Sequence, residues 1–220
     1  MSTELISVDF SREFPVLPLT DAVLLPQAIL PLQIYEERYI EMVEDVLDSL
    51  GMIAMALFDG QVAPEEYSRG TPALKKYVCI GHVRQYERVK DGRYVLLVQG
   101  LCRARIESEI AHEPYREIKL RPVESVPVEE DVLTPYRHRI EELLSLQLMG
   151  EGEKSRSVPV GRGAEVSTPM IVDLAIAAMC TGPSQQYRML AQRDVRVRAE
   201  WLIHRMESLL GRSPDDSRKN

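Results

Sequence analysis

Cysteine is scarce in this chain: Cys79, Cys102 and Cys180 are all that its 220 residues hold. An odd number of widely spaced thiols argues against a disulfide framework and for buried, reduced side chains in the cytoplasm. Long apolar runs are missing too. Nothing approaches the roughly 18 consecutive apolar residues that a membrane span needs. The segment from Met1 to Arg12 is acidic where a secretory leader would have a basic start and an apolar stretch. The expectation is a globular protein with no membrane partner.

Motifs that carry chemistry are absent as well. No glycine-rich run ends in Gly-Lys-Ser/Thr, the loop that wraps nucleotide phosphates. Gly161-Arg162-Gly163 lacks both the lysine and a preceding buried strand. No Gly-x-Ser-x-Gly elbow presents a nucleophile, and Lys154-Ser155 is loop composition rather than a catalytic pair. Zinc sites draw three or four ligands from paired spacings, yet neither C-x2-C nor H-E-x-x-H occurs. Cys79 and His82 have the spacing of half a site without a second half. The acidic pairs Glu36-Glu37 and Glu65-Glu66 fit a helix start and a solvated loop. Together these gaps predict no catalytic residue, no cofactor and no metal, hence a binding module and not an enzyme.

Positive charge is also in short supply. The formal net charge is -7, with 20 acidic against 14 basic side chains before residue 128, which makes the first part a poor binder of phosphate backbones. The remainder is nearly balanced, at 14 against 13. There Arg188, Arg193, Arg196, Arg198 and Arg205 could share a face. No aromatic side chains interleave them to stack bases, so a solvated helix face is the preferred reading and RNA binding the alternative.

What the sequence does contain is a sheet-like half followed by a helical half. Phe14 to Leu19 and Ala22 to Leu25 read as short strands, and Pro15, Pro18 and Pro26 predict edges and bends because proline cannot donate to a ladder. From Glu36 to Leu50 the apolar side chains Tyr39, Val43, Val46, Leu47 and Leu50 fall at helical spacing, with Gly51 as the stop. Met52 to Phe58 is a continuous apolar run, consistent with a strand buried on both faces. Gln61 to Leu74 reads as a surface loop. Lys76 to Lys90 and Arg93 to Leu101 flank Asp91-Gly92, the pair favoured in a two-residue type I′ hairpin turn, and Tyr115 to Val126 adds another strand.

After Pro127 the period becomes helical. Thr134-Pro135 predicts an N-cap and first turn leading to Leu148, and Thr168-Pro169 opens a helix to Met179. Gly150 to Val166 is expected to be a mobile loop or hinge. Ser184 and Asp194 are predicted to cap a short and a longer final helix, with a polar tail from Gly211. The fold class expected is α+β, with a β-rich barrel and one inserted helix over residues 1–127 and a helical subdomain over 128–220.

The order of several segments carries a family resemblance. Phe14-Pro15-Val16-Leu17-Pro18-Leu19, Val23-Leu24-Leu25-Pro26 and Ile29-Leu30-Pro31-Leu32 lead into Tyr35-Glu36-Glu37-Arg38-Tyr39. Ile80-Gly81, Asp91-Gly92-Arg93-Tyr94 and Gly100-Leu101-Cys102-Arg103-Ala104-Arg105-Ile106 follow, and Gln186 to Leu210 closes the series. From Phe14 to Leu210 the chain resembles the N-terminal, substrate-binding domain of Lon proteases. Where that family commonly has a glycine after the third proline and a histidine before the Glu-x-Arg-Tyr helix, this chain has Gln27 and Gln33.

The resemblance implies a PUA-like β pseudo-barrel followed by a helical bundle, and surfaces that meet unfolded or exposed apolar protein segments, as in protein quality control. A full Lon protease continues into an ATPase and a Ser-Lys protease domain, so the expectation is a stand-alone form. A Lon-type ATPase or a second copy of the chain are further expected partners.

A peptide-binding groove wants apolar side chains beside an exposed strand edge. Leu25, Tyr35, Tyr39 and Met42 are the candidates, Met42 because methionine repacks around varied partners, although Tyr39 lies on the helical stripe and favours a core role. Arg38 is expected to anchor loop carbonyls or a carboxylate. Gly81 and Gly100 are expected at a bulge or a close strand approach. Arg103 and Arg105 are expected to share one strand face, solvated or paired with acidic neighbours.

Overall fold

The structure, a computed structural model, describes residues 6–63, 67, 71–150 (147–150 in backbone only), 166–180 and 182–211. Most of the loop expected at Gly150 to Val166, part of that at Gln61 to Leu74, and the tail beyond Gly211 lie outside the described residues.

Six strands form one sheet: β1 (Glu13–Leu19), β2 (Ile29–Ile34), β3 (Met52–Leu57), β4 (Tyr77–Arg88), β5 (Tyr94–Ile110) and β6 (Arg116–Pro122). Helix α1 (Glu37–Leu47) sits between β2 and β3 in sequence. The strand order is β2-β5-β4-β3-β1-β6, and β6 also pairs with β5. That extra pairing closes β1, β3, β4, β5 and β6 into a barrel. It is possible because β5 is 17 residues long. Residues 94–99 of β5 pair with β2 and residues 104–110 with β6, so one strand serves both the barrel and an outlying extension.

The barrel interior follows from period-2 alternation. Phe14, Val16, Met52, Ala54, Ala56, Val78, Ile80, Ala104, Ile118 and Leu120 form a buried cluster. Three of the ten are alanine because a small barrel has little room at its axis. The apolar run in β3 is buried at every position, as its composition predicts.

Three local readings are corrected. The prolines of β1 do not mark an edge: β1 lies between β3 and β6. Pro15 falls where β6 alone is registered opposite β1, and Pro18 where β3 alone is, so the missing N–H donors fit within an interior strand. The run Ala22 to Leu25 is not a strand but a buried loop, and Gln27 after it adopts φ +68°. The turn at Asp91-Gly92 is not type I′. Gly92 alone of that pair has positive φ (+87°), and the Gly92 N–H bonds to the Val89 carbonyl while the Val89 N–H bonds to the Arg93 carbonyl. This is the three-residue loop in which a left-handed glycine follows a tight turn, with Asp91 accepting from the backbone and guanidinium of Arg93.

The helices are α2 (Glu130–Gly150), α3 (Thr168–Met179), α4 (Pro183–Ala191) and α5 (Val195–Leu210). The described residues form two compact units, one within Met1–Glu124 and Cys180–Ala191, the other within Ser125–Met179 and Gln192–Asn220. Helix α4, which a division at residue 127 would assign to the helical part, packs on β4 of the first unit. There the Tyr77 N–H donates to the Tyr187 hydroxyl oxygen at 3.1 Å and Arg103 Nε donates to the Leu190 carbonyl at 3.0 Å.

In the second unit, α2, α3 and α5 bury Leu133, Ile140, Ile176, Ala199, Leu202 and Met206. A fully buried ion pair joins Arg198 to Asp173 at 3.1 Å, and Arg198 also donates to the Gln192 carbonyl at 2.7 Å. Asp194 caps α5 by accepting from the Arg196 N–H. Thr134 is no cap, because α2 begins at Glu130 and the Thr134 hydroxyl donates back to the Glu130 carbonyl. The acidic first turn, Glu130 and Asp131, supplies the dipole complement instead. Thr168 receives a partner from outside its own helix: its N–H donates to the Glu130 carboxylate. Ser184 lies inside α4, which starts at Pro183.

Candidate functional site

The first unit presents one sheet face to two surroundings. Along β4, Val78 and Ile80 point into the barrel, and His82 follows on the same side. His82 registers with Gln99 of β5, and beyond it Leu97 and Val95 continue the same face. Their partners on β2 are Pro31 opposite Leu97, Gln33 opposite Val95, and Ile29 opposite Gln99. The barrel does not close over this part, since β2 pairs with β5 and ends the strand order. Ile29 is 59% exposed and Val95 37%. Beside this face runs the outer edge of β2, where Pro31 removes one donor.

The other face of the same extension is sealed. Leu96, Val98 and Ile34 are buried, and Leu24 and Leu25 of the loop before β2 pack against Gly81 and Gly100. A Cβ at Gly81 would stand 2.4 Å from Val98 and 2.9 Å from Leu24, and one at Gly100 only 2.1 Å from the Leu25 carbonyl oxygen. No side chain fits either position. The Gln27 N–H then donates to the Gly100 carbonyl, and the Gly100 N–H to the Ala28 carbonyl, which stitches the proline-rich loop to β5.

These contacts sort the sequence candidates. Leu25 and Met42 are 0% exposed and Tyr39 is 7% exposed, so all three belong to the core and present nothing to a ligand; Tyr35, 68% exposed, is the one on the surface. Leu25 and Met42 were misplaced because an apolar residue next to a proline-rich edge reads alike whether it faces solvent or the loop beneath. Arg103 and Arg105 do not share a solvated face: Arg105 is exposed, whereas Arg103 is buried against the backbone of α4. Ile29, Val95 and Leu97, the residues that make the open face, were not singled out. Only the register of β2 against β5 brings them together.

Arg38 belongs to a cluster at the start of α1. It pairs with Glu36 at 2.8 Å and stacks over the rings of Tyr39 and Tyr67 at 4.7 and 4.8 Å. The Tyr67 hydroxyl donates to the other Glu36 oxygen, and burial together with that carboxylate pushes the phenol well above its ordinary pKa. The Glu-x-Arg-Tyr run is thereby accounted for as a clasp that holds the entry to the helix.

Burial pushes the Cys102 thiol up to about 11, so it is protonated at neutral pH and a weak nucleophile. Among the described residues no three His, Cys, Asp or Glu converge as metal ligands. Of the arginines weighed for RNA binding, Arg198 is sealed against Asp173 and Arg196 is paired with Asp194 at 2.6 Å, while Arg188 lies on α4 of the first unit. Among the described residues no helix is long and apolar enough to cross a membrane.

The closed barrel with a flanking edge strand, and a separate helical unit, define a fold shared with solved structures. The N-terminal domain of Mycobacterium avium complex Lon protease aligns with TM-score 0.67 and 18% identity, covering 89% of this chain and 98% of that one. A Lon N-terminal domain protein from Xanthomonas campestris aligns with TM-score 0.62 and 19% identity, covering 88% and 98%. The family model described as the ATP-dependent protease La (LON) substrate-binding domain matches residues 13–208, and this chain belongs to that family. Among curated relatives, Lon protease of Escherichia coli strain K12 is 28% identical over 207 residues, and that of Chloroherpeton thalassium 22% over 200. The match covers 89–90% of this chain and 23–25% of those relatives, so the chain spans about a quarter of their length.

Proposed function

We propose that this chain recognises exposed apolar segments of other proteins, holding them extended across the open face of β2 and β5, and that it carries no catalytic step of its own. The observation that carries this reading is the continuation of a barrel-interior face into solvent at Ile29, Pro31 and Val95, with Leu97 half-buried between them, beside the outer edge of β2. An extended segment can pair its main chain with such an edge without demanding one sequence, while alternate side chains meet the apolar face. Membership of a substrate-binding family supports the same reading. A place in protein quality control, delivery of clients to a Lon-type ATPase, and residence in the reducing cytoplasm are parts of this proposal.

Fluorescence anisotropy of a labelled, reduced and alkylated unfolded protein tests it. Wild type binds, and Leu97→Glu, which places a charge on the open face, weakens binding by roughly tenfold or more with thermal unfolding little changed. Absence of binding by the wild type ends the reading.

A further inference from the structure

We propose that a second feature of the first unit, a cleft between the end of α1 and the β1–β6 corner, receives a lysine or arginine side chain of the bound client. This rests on the reading that the chain binds extended segments of other proteins. The cleft encloses about 190 Å³, below the roughly 300–1,000 Å³ of sites for cofactors and drug-sized ligands, which suits one long side chain.

Its floor is apolar, formed by Phe14, Val46 and Met52, with Leu50 beside them standing 51% exposed. Its charged lining is mostly acidic: among the described residues the carboxylates of Asp9, Glu13, Asp45 and Glu117 line it with one cation, Arg12, and Asp9 already accepts from Ser11. Burial and the neighbouring Asp45 carboxylate raise the pKa of Tyr115, so the phenol stays neutral and donates to Asp45 at 2.6 Å. Lys119 approaches Glu13 from outside the lining at 3.7 Å, a loose contact between exposed side chains.

An incoming ammonium or guanidinium is therefore offered carboxylate acceptors, while its methylene stem lies against Phe14, Val46 and Leu50. Long basic side chains suit such a split environment, apolar along the stem and polar at the head. An acidic occupant would meet like charge, and a neutral polar one would hydrogen-bond to the carboxylates without the charge that they attract. A purely apolar one would fill the floor and leave the acidic lining unmatched.

The probe is an unstructured peptide with several leucines and one central lysine, paired with the same peptide carrying norleucine, which keeps the stem and removes the charge. Wild type is expected to prefer the lysine peptide by roughly fivefold at low salt, the scale of partly screened ion pairs. The double variant Glu13→Gln/Glu117→Gln removes that preference while binding the norleucine peptide as wild type does. Glu117→Lys reverses it, favouring a peptide with glutamate at the central position, and so controls against general loss of structure.

Equal binding of the lysine and norleucine peptides by wild type overturns the proposal, as does a lysine preference that survives in the double variant. Concentration-dependent self-association in sedimentation, lost in Glu117→Lys, would assign the cleft to a second copy and also overturns it. Leu97→Glu separates the two readings: if it leaves both peptides bound while the double variant abolishes the preference, the open-face reading fails and the cleft stands. If it weakens both peptides equally and wild type shows no preference, the cleft fails and the open face stands. If wild type binds neither peptide, both fall.

Discussion

On β4, Val78 and Ile80 are closed inside the barrel, whereas Gln85, beyond the irregular step between Val83 and Gln85, is in solvent beside Leu97. On β5 the same contrast sets buried Ala104 against exposed Val95. The strands and their period are the same in both regions. The difference is what lies across the sheet: β6 returns to pair with residues 104–110 of β5, while β2 pairs with residues 94–99 and has no further strand neighbour among the described residues. Closing the sheet makes a core, and leaving it open makes a surface on which a foreign strand can lie. Apolar side chains therefore stabilise the protein in one region and are left in contact with solvent in the other.

That contrast can be broken from either side. The largest effect is expected inside: Ile80→Ala should destabilise by about 2–5 kcal/mol in chemical denaturation, whereas Leu97→Ala should stay within about 1 kcal/mol. Equal losses at the two positions would mean that the open face is covered in solution.

A smaller effect is expected where the open extension is tied down. Gln27 holds φ +68°, a conformation that penalises a side chain by roughly 1–2 kcal/mol. Gln27→Gly should raise stability by about 0.5–1 kcal/mol, read as an increase in the denaturation midpoint at unchanged slope. Glycine, which the family resemblance implies at this position, would relieve that strain without changing the fold.

The smallest effect lies at the boundary between the regions. His82, at the mouth of the barrel, has Nδ1 buried without a hydrogen-bond partner among the described residues. Burial, helped by Arg84, lowers its pKa. The unfolded chain therefore binds the proton more readily than the folded one, so this contribution is complete above the ordinary histidine pKa of about 6.5 and is lost as pH falls through the folded value. His82→Gln should flatten the stability profile below about pH 6.5; a profile identical to wild type would rule the residue out.

Much of the architecture was legible in the chain. The continuous apolar run of β3 and the Asp194 cap each depend on near neighbours and form as their residues predict, as does the stripe of α1 at Tyr39, Val43 and Val46, whereas Leu50, counted with that stripe, lies beyond the end of the helix and is exposed. The prolines of β1 misled because a missing donor excludes a strand from the interior only if both neighbours are present at that residue, and the offset of β3 and β6 makes that otherwise. The candidate residues misled more. Leu25 and Met42 look like surface anchors beside a proline-rich edge, yet the absence of a side chain at Gly100 lets the Leu25 backbone settle directly on β5 and carries Leu25 inward.

The order of apolar, proline and glycine residues by itself determined a sheet-rich half with one helix, a helical half, and membership of a family recognisable from Phe14 to Leu210, because these are consequences of local period and turn chemistry. Tertiary structure alone decided which apolar residues remain in solvent. That choice depends on the pairing of residues about 65 positions apart, as Leu97 with Pro31, and on β5 being long enough to belong to a closed barrel at one end and an open sheet at the other.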